Sequence, residues 1–197
     1  PSLESSRPFP AHDFRKLLAS DRCLGVGETY WPRVISLEDR TLDQYQLSDI
    51  LGKTREGHAA GARNTKLVAY AAAGTSSCHE ATDLDEALER LRLGIAVMIR
   101  EGYVRRELNA ISAISRQPVD LHNVMMVTDL ADPEELVHKG GMNLLLKKAV
   151  ALGFDPVRAV QMVTLNVAQY FGLRDLGGLG PGKIADIVVT EDLKDFH

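Results

Sequence analysis

Short apolar runs alternate along this chain with longer stretches that carry apolar residues at helical spacing. The apolar runs occupy residues 23–27, the stretches that end at 58 and 79, 96–100 and 124–128. Short apolar runs with β-branched residues are typical of buried strands, and the amphipathic stretches between them are typical of helices. The strand ends recur about every 20–30 residues, which is the size of a βαβ unit. The pattern therefore predicts five β/α units with a parallel sheet.

The amphipathic stretches predict a helix before or after nearly every strand. The expected helices cover residues 11–20, 37–51, 63–73, 81–94, 107–115, 132–141, 142–153 and 155–171, and alternation at 184–190 predicts one more strand. Asp83, three residues before Glu86, and Asp155, just before Pro156, are expected N-caps. A complete eight-stranded barrel needs about 250 residues. Five units therefore predict either an open sheet or the later part of a barrel.

The bulk composition excludes several classes of protein. The chain has 197 residues, 45% hydrophobic and 25% charged, with a formal net charge of -4, which gives no electrostatic footprint for nucleic acid. No apolar stretch reaches the ~18–20 residues that span a bilayer, and the start carries no signal segment. Cys23 and Cys78 form no CxxC pair and fit a reducing cytoplasm. Because the chain opens on Pro1 among turn-forming residues, we expect it to be part of something longer.

Titratable residues stand at the ends of four predicted strands. These are Glu28, His58, His79 with its neighbour Glu80, and Asp129. Each alone has an ordinary explanation, such as a turn histidine or an N-cap aspartate. Parallel α/β folds, however, place their chemistry at the carboxyl ends of successive strands. One Glu, two His and one Asp make a mixed N/O ligand set suited to Zn, Mn or Fe. The set predicts metal-assisted hydrolysis.

Three further features are less informative. Trp31, which follows Tyr30, could stack on a planar substrate or simply pack in the core. Glu101, at the end of the fourth predicted strand, is a secondary candidate for substrate binding. The run GGLGPG at 177–182 lies between a helix and a strand, the reverse of the order that a phosphate-binding loop needs.

Two sequence segments resemble a known family. VTLNVAQYFGLRDLGGLGPGKIADIVVTEDL resembles the closing signature of the amidohydrolase superfamily, T-x-N-x-A…G-L…G-x-L-x-P-G-K-x-A-D. LGVGE, GHAAG and the stretch from GTSSCHE to MIREG resemble the bacterial adenine deaminases within it. The resemblance runs from about residue 13 to 193. The chain departs from the pattern at four positions. Ala60 and Val167 stand where the family has Pro, Cys78 stands where it has Asp, and Leu130 stands where it has a second Asp.

The resemblance implies an α/β fold, a partial (β/α)8 TIM-type barrel that holds the fourth to eighth strands within residues 1–175. Residues 176–197 would then give a strand of a composite β-sandwich domain. It implies two divalent ions (Mn, Fe or Zn) and hydrolytic deamination of adenine to hypoxanthine and ammonia. Glu28 would bridge the ions, and His58 and His79 would ligate one of them. Asp129 would ligate the other and accept a proton from the attacking water. Glu80 would carry a proton to the leaving ammonia.

The chain contains no His-x-His, the pair that the superfamily places on its first barrel strand. By the resemblance, that strand would precede Pro1, so we expect an isolated fragment to be inactive, poorly stable or oligomeric. Two rivals stay open: a cyclic-amide hydrolase of the dihydroorotase or hydantoinase type, which usually bridges its metals with a carboxylated Lys where Glu28 stands, and a non-catalytic remnant or scaffold. The expected partners are a small purine base and either a second copy of the chain or the missing N-terminal half. We expect a cytoplasmic protein with no nucleic-acid or membrane partner.

Overall fold

The structure is a computed structural model that describes residues 9–196. The first eight residues of the predicted 1–175 domain, and residue 197, lie outside the described residues. The strands are β1 (Gly25–Tyr30), β2 (Thr54–His58), β3 (Ser77–Cys78), β4 (Ala96–Arg100) and β5 (Val124–Val127). The helices are α1 (Ala11–Leu18), α2 (Trp31–Ile35), α3 (Asp39–Ile50), α4 (Thr65–Ala72), α5 (Leu84–Arg92), α6 (Leu108–Ile111), α7 (Pro133–His138), α8 (Met142–Ala151), α9 (Pro156–Val163) and α10 (Leu165–Tyr170), with a 3-10 helix at Ser112–Arg116.

The five strands form one sheet in the order β1-β2-β3-β4-β5, and every neighbouring pair is parallel. Each strand therefore lies beside its neighbour in sequence, with helical crossovers between them. Doubly wound open sheets reverse their strand order at a switch point, whereas (β/α) barrels do not. The prediction of an α/β fold with a parallel sheet is confirmed, and the strand order is the one that a barrel uses.

The core lies between the sheet and its helices. One apolar cluster packs β4 and β5 against the helices that follow β3 to β5, and a second packs Cys78 of β3 and Ala59, which follows β2, against α2 to α4. Val97 and Ile99 of β4 face the first cluster, together with Val124 and Met126 of β5. Because side chains alternate along a strand, Arg100 lies on the opposite face. That opposite face, at its carboxyl edge, carries the polar residues of interest.

Both N-caps expected from sequence are confirmed. The Asp83 carboxylate accepts a hydrogen bond from the backbone N–H of Glu86 at 2.8 Å, and Asp155 accepts one from Arg158 at 3.0 Å. Gly94, with φ +77°, then ends α5 in the left-handed conformation that glycine adopts without strain. These local signals fix where α5 begins and where the chain enters β4.

The continuous helix predicted for 155–171 is wrong, since the chain breaks at Thr164. Thr164 has φ -131° and ψ -81°, and its hydroxyl donates to the carbonyl of Val160 at 2.7 Å. The break redirects α10 so that the amide of Asn166 donates to the carbonyls of Leu121 and Val124, at 2.8 Å each. These buried tertiary hydrogen bonds outweigh the local preference for one straight helix. The segment 107–115 likewise divides into α6 and the 3-10 helix, and α2 was not expected at all.

The strand predicted at 184–190 is not confirmed. These residues form no ladder with any part of the chain that the structure describes, and Val188 and Val189 are 85% and 88% exposed. The Ile184 N–H donates to the Asp175 carbonyl at 2.9 Å, but among residues 9–196 the segment has no neighbouring strand to pair with. Within the same residues, no helix is both long and apolar enough to cross a membrane.

Candidate metal centre

Glu28 lies within β1 and not at its end, which corrects the strand boundary expected at 27. The pairing of β1 with β2 passes from Val26↔Arg55 to Thr29↔Gly57, so two residues of β1 oppose one residue of β2. Such a bulge adds a residue to one strand and re-aims the side chains next to it. Val26 and Thr29 are both buried as a result, and the Glu28 carboxylate is left free to reach the end of β2.

His58 is the last residue of β2, as predicted, and Tyr70 of α4 holds its backbone. The Tyr70 hydroxyl accepts the His58 N–H at 3.0 Å and donates to the Thr29 carbonyl on β1. Burial raises the pKa of Tyr70 well above its usual value, so the phenol keeps the proton that it donates. One buried side chain therefore joins the ends of β1 and β2 beside the site.

His79 and Glu80 follow β3 directly, because β3 ends at Cys78. The chain turns here, and the N–H of Glu80 donates to the Cys78 sulfur at 3.3 Å. Neighbouring strand residues point to opposite faces. Once the strand has ended, that constraint is lifted, and both His79 and Glu80 reach the same place.

The ligand atoms of four residues converge at this edge of the sheet: Glu28, His58, His79 and Glu80 each offer one atom within 4.8 Å of the others. His79 Nε2 lies 3.4 Å from Glu28 Oε1 and 3.3 Å from Glu80 Oε1. His58 Nδ1 is in contact with Glu28 Oε1, and it lies 3.8 Å from Glu80 Oε1. The two imidazole rings stand edge to face with their centroids 5.7 Å apart. Burial increases from Glu28, 52% exposed, to Glu80 at 9%.

A divalent cation fits this donor set. The ligand oxygens of Glu28 and Glu80 lie within 4.8 Å of each other. Two carboxylates that close repel each other unless a proton or a cation lies between them. Imidazole nitrogen with carboxylate oxygen is the donor combination of Zn, Mn and Fe sites. The four residues lie at the carboxyl edge of three neighbouring parallel strands, within β1, at the end of β2 and just after β3. Their convergence therefore follows from the topology and not from one flexible loop.

Arg100, the last residue of β4, joins this cluster to Asp129. Its Nη1 donates to Glu80 Oε1 at 2.6 Å and lies 3.4 Å from Asp129 Oδ2, and its Nη2 donates to Glu107 Oε1 at 3.1 Å. The Arg100 side chain is 3% exposed. Its Nε and the second oxygen of Glu107 have no hydrogen-bond partner among the described residues. A single cation therefore holds three carboxylates together at the edge of the site.

Asp129 follows β5 in a strained backbone conformation. Its φ of 62° lies in the left-handed region, which a residue other than glycine seldom adopts. Such outliers concentrate at functional sites, where the surrounding structure enforces them. The structure does not bring Asp129 into the four-residue cluster itself. Its Oδ2 lies 3.4 Å from Arg100 Nη1, the same nitrogen that lies 2.6 Å from Glu80 Oε1.

Trp31 and Glu101 lie elsewhere. Trp31 packs against the second apolar cluster, donates from Nε1 to the Ala60 carbonyl at 2.9 Å, and has the Lys66 ammonium 5.3 Å from its ring centroid. Its neighbour Tyr30 is the aromatic residue at the site, edge-on to His58 with centroids 5.3 Å apart. Glu101 pairs with Lys148 of α8 at 2.6 Å, in a separate cavity of about 280 Å³.

Sequence reasoning missed Arg100 and Glu107. Both are buried, and they form an ion pair that sets the position of Glu80 and Asp129. The signal was present, because Arg100 closes the otherwise apolar strand AVMIR. A buried strand that ends on a cation deserves the same scrutiny as one that ends on a ligand, since such a charge must be paired.

Comparison with known proteins finds one matching family and several similar proteins. Residues 37–196 match the model of the amidohydrolase family. The chain is 42% identical over 195 residues to an adenine deaminase of Cenarchaeum symbiosum, covering 98% of this chain and 32% of that protein. It is 38% identical over 186 residues to the adenine deaminase of Desulfatibacillum aliphaticivorans, covering 94% and 32% respectively. For the adenine deaminase of Archaeoglobus fulgidus the values are 38% over 199 residues, 100% and 34%. The chain thus spans about a third of the length of these relatives.

Proposed function

The chain belongs to the amidohydrolase family, and from that premise we propose that the full-length protein deaminates adenine hydrolytically, giving hypoxanthine and ammonia. The observation that carries the proposal is the convergence of Glu28, His58, His79 and Glu80 at the carboxyl edge of three neighbouring parallel strands. The relatives named adenine deaminase support the choice of substrate. The substrate is then a small purine base.

We assign two roles to the residues at the site, metal binding and proton transfer. Glu28, His58 and His79 would hold one divalent ion, with Glu28 also able to bridge to a second, and Asp129 would ligate the second. A bound Zn, Mn or Fe ion would lower the pKa of a water ligand toward neutrality, which makes hydroxide available at ordinary pH. The remaining ligands, a His-x-His pair, would come from the part of the full-length protein that precedes these residues.

Proton transfer falls to the two carboxylates that share Arg100. Asp129 would accept the proton that the attacking water loses as its oxygen bonds to C6 of adenine. Glu80 would deliver a proton to the amino group as the C–N bond breaks, so that ammonia leaves. Arg100 Nη1 donates to Glu80 and lies within reach of Asp129, which keeps both groups beside the cluster. General acid–base transfer of this kind contributes roughly 10²–10⁴ in rate.

An exposed aromatic ring beside the site is suited to contact a purine base. Tyr30 is 48% exposed and stands beside His58. An aromatic ring at the mouth of the site would contact a flat heterocycle at low conformational cost. We therefore assign Tyr30, and not Trp31, as the candidate that stacks on the substrate.

The finer architecture belongs to the same proposal. β1 to β5 would be the fourth to eighth strands of a (β/α)8 barrel that occupies residues 1–175 of this chain. Residues 176–197 would belong to a composite β-sandwich, where the segment 184–190 would find the strand partner that it lacks among residues 9–196. The first three strands would come from the preceding part of the full-length protein. We expect that protein to be cytoplasmic and homo-oligomeric.

The test is an assay of the full-length protein with adenine and added Mn²⁺, Fe²⁺ or Zn²⁺, following hypoxanthine formation. His58→Ala and Glu28→Gln are expected to abolish both activity and stoichiometric metal binding, because each removes a ligand. Asp129→Asn is expected to lower kcat by roughly 10²–10⁴. His122→Ala is the matched control, since His122 is 57% exposed and forms its ion pair with Asp120 on the surface.

Two results would overturn this assignment. Hydrolysis of dihydroorotate or a hydantoin, with adenine untouched, would identify a cyclic-amide hydrolase. Absence of metal binding and of every hydrolytic activity in the full-length protein would identify a non-catalytic scaffold.

A further inference from the structure

Arg90 of α5 is a buried cation that lies outside the ligand cluster and the Arg100 network. Its side chain is 0% exposed, and each guanidinium nitrogen has a partner. Nε donates to the Cys78 sulfur at 3.4 Å, Nη1 to the Glu86 carbonyl at 2.9 Å, and Nη2 to the Ala59 carbonyl at 3.0 Å. The carboxylate of Glu86 lies 4.0 Å from Nη1.

Two of these acceptors adjoin the histidines of the site. Ala59 directly follows His58, and Cys78 directly precedes His79. The ladder between β2 and β3 ends at the pair Gly57↔Cys78. Beyond this pair, no strand pairing joins the segments that follow β2 and β3. The Arg90 guanidinium spans them instead, with one nitrogen on each.

The link extends one residue further through Cys78. The Cys78 sulfur accepts the N–H of Glu80 as well as the Nε–H of Arg90. The turn that carries His79 and Glu80 is therefore fixed at the sulfur. Gly57 contributes to the same fit, because a Cβ there would collide with the Ser77 carbonyl of β3.

We propose that Arg90 is a positioning residue for the metal centre: it clamps the ends of β2 and β3 so that His58 and His79 converge. The inference rests on the proposed function, since it presumes that these histidines bind metal. A planar guanidinium presents donors in a fixed fork, so it can satisfy a carbonyl and a sulfur on two strands at once. A lysine ammonium is a point charge and lacks that fork.

The test is titration of the metal-free full-length protein with Co²⁺, measuring the dissociation constant and the visible d–d absorption spectrum. Arg90→Met is expected to weaken Co²⁺ binding about tenfold or more, as loss of residues behind metal ligands does, and to alter the spectrum. Arg90→Lys is expected to keep the fold and still bind more weakly than wild type. Cys78→Ala removes only the sulfur acceptor and should give a smaller change in the same direction.

Two control variants separate positioning from general effects. Arg92→Met removes the exposed arginine two residues along the same helix, and it should leave Co²⁺ binding unchanged. Phe154→Leu trims a buried side chain of the first apolar cluster, which contains none of Arg90, Cys78 and Ala59. It should lower stability and leave the spectrum as in wild type.

The outcomes distinguish this inference from the proposed function. If wild type binds Co²⁺ and both Arg90 variants match its affinity and spectrum, the clamp is wrong and the metal centre stands. If Arg90→Lys alone matches wild type, the charge matters and the fork does not, which also overturns the proposal. If wild type binds no Co²⁺, the proposed function fails and the clamp fails with it. Should Arg90→Met not fold, Arg90→Lys and Cys78→Ala decide the question.

Discussion

Two buried arginines flank the candidate metal centre, and they bind opposite kinds of partner. The hydrogen bonds of Arg90 go to two backbone carbonyls and a thiol sulfur. Those of Arg100 go to side-chain carboxylates, and its Nε has no partner among residues 9–196. The Arg90 network is complete and neutral at its acceptors, whereas the Arg100 network concentrates negative charge and leaves polar atoms open.

The two arginines therefore have different roles, a structural one for Arg90 and one close to the chemistry for Arg100. Arg90 fixes backbone on either side of the two histidines, so its contribution is geometric. Arg100 stands between Glu80 and Asp129, the two groups to which we assign proton transfer. A buried polar network that is only partly satisfied costs stability. Sites that perform chemistry commonly carry such a cost.

The strongest way to break this comparison is Arg100→Met. Removing the cation leaves Glu80, Glu107 and Asp129 together without a counter-charge, and loss of one partner from a buried ion pair costs about 3–5 kcal/mol. We expect urea denaturation of the metal-free full-length protein to show a loss of that size. Arg106→Met is the control: Arg106 is 55% exposed, its nearest carboxylate lies at 3.8 Å, and its loss should cost at most about 0.5 kcal/mol. A loss below about 1 kcal/mol for Arg100→Met would show that the carboxylates do not depend on it.

A second substitution sharpens the contrast. If uncompensated charge causes the loss, Glu107→Gln in the Arg100→Met background should restore about 1–2 kcal/mol, because contacting residues couple by amounts of this order. Glu86→Gln in the Arg90→Met background should restore little, since the Glu86 carboxylate lies 4.0 Å from Arg90 and keeps the Arg63 guanidinium at 2.8 Å. A double-mutant cycle for each pair measures both values. Equal recovery in the two cycles would remove the distinction between the arginines.

The smallest expected effect concerns the start of the helix that carries Arg90. Asp83→Ala should destabilise the fold by about 1 kcal/mol at neutral pH, because the N-cap hydrogen bond to Glu86 is lost. That hydrogen bond, aided by Arg63, lowers the pKa of Asp83 below its usual 3.8. A depressed pKa contributes stability above the unfolded value, and the contribution is lost as the pH falls through the folded value. The stability gap between wild type and the variant should therefore narrow below about pH 4 in acid titrations. A gap independent of pH would mean that the carboxylate charge plays no part.

The sequence located the strand ends well and the contacts between them poorly. His58 and the apolar runs of β4 and β5 were predicted because period and composition are local properties. The bulge that re-aims Glu28 was not, since a bulge exists only relative to the partner strand. The break at Thr164 depends in the same way on hydrogen bonds that Asn166 makes with residues more than forty positions away.

The roles of the arginines were missed for a related reason. Glu, His and Asp side chains bind metals or move protons and so stand out in a sequence, whereas arginine does neither. Arg90 lies four residues after Glu86 on α5, and in the sequence this spacing looks the same as that of a charged pair on a solvent-facing helix surface. Only its burial, and its hydrogen bonds to Ala59 just after β2 and to Cys78 of β3, reveal that it contacts the residues next to the two histidines.

The most direct test of the central claim, that three neighbouring strand ends build a metal centre, is anomalous diffraction. Crystals of the full-length protein grown with Mn²⁺ or Zn²⁺ should show an anomalous peak bounded by Glu28, His58 and His79, at bonding distances of roughly 2.0–2.2 Å. Glu80 should stay on Arg100. No peak at this position, with the cation absent or bound only elsewhere, would contradict the account.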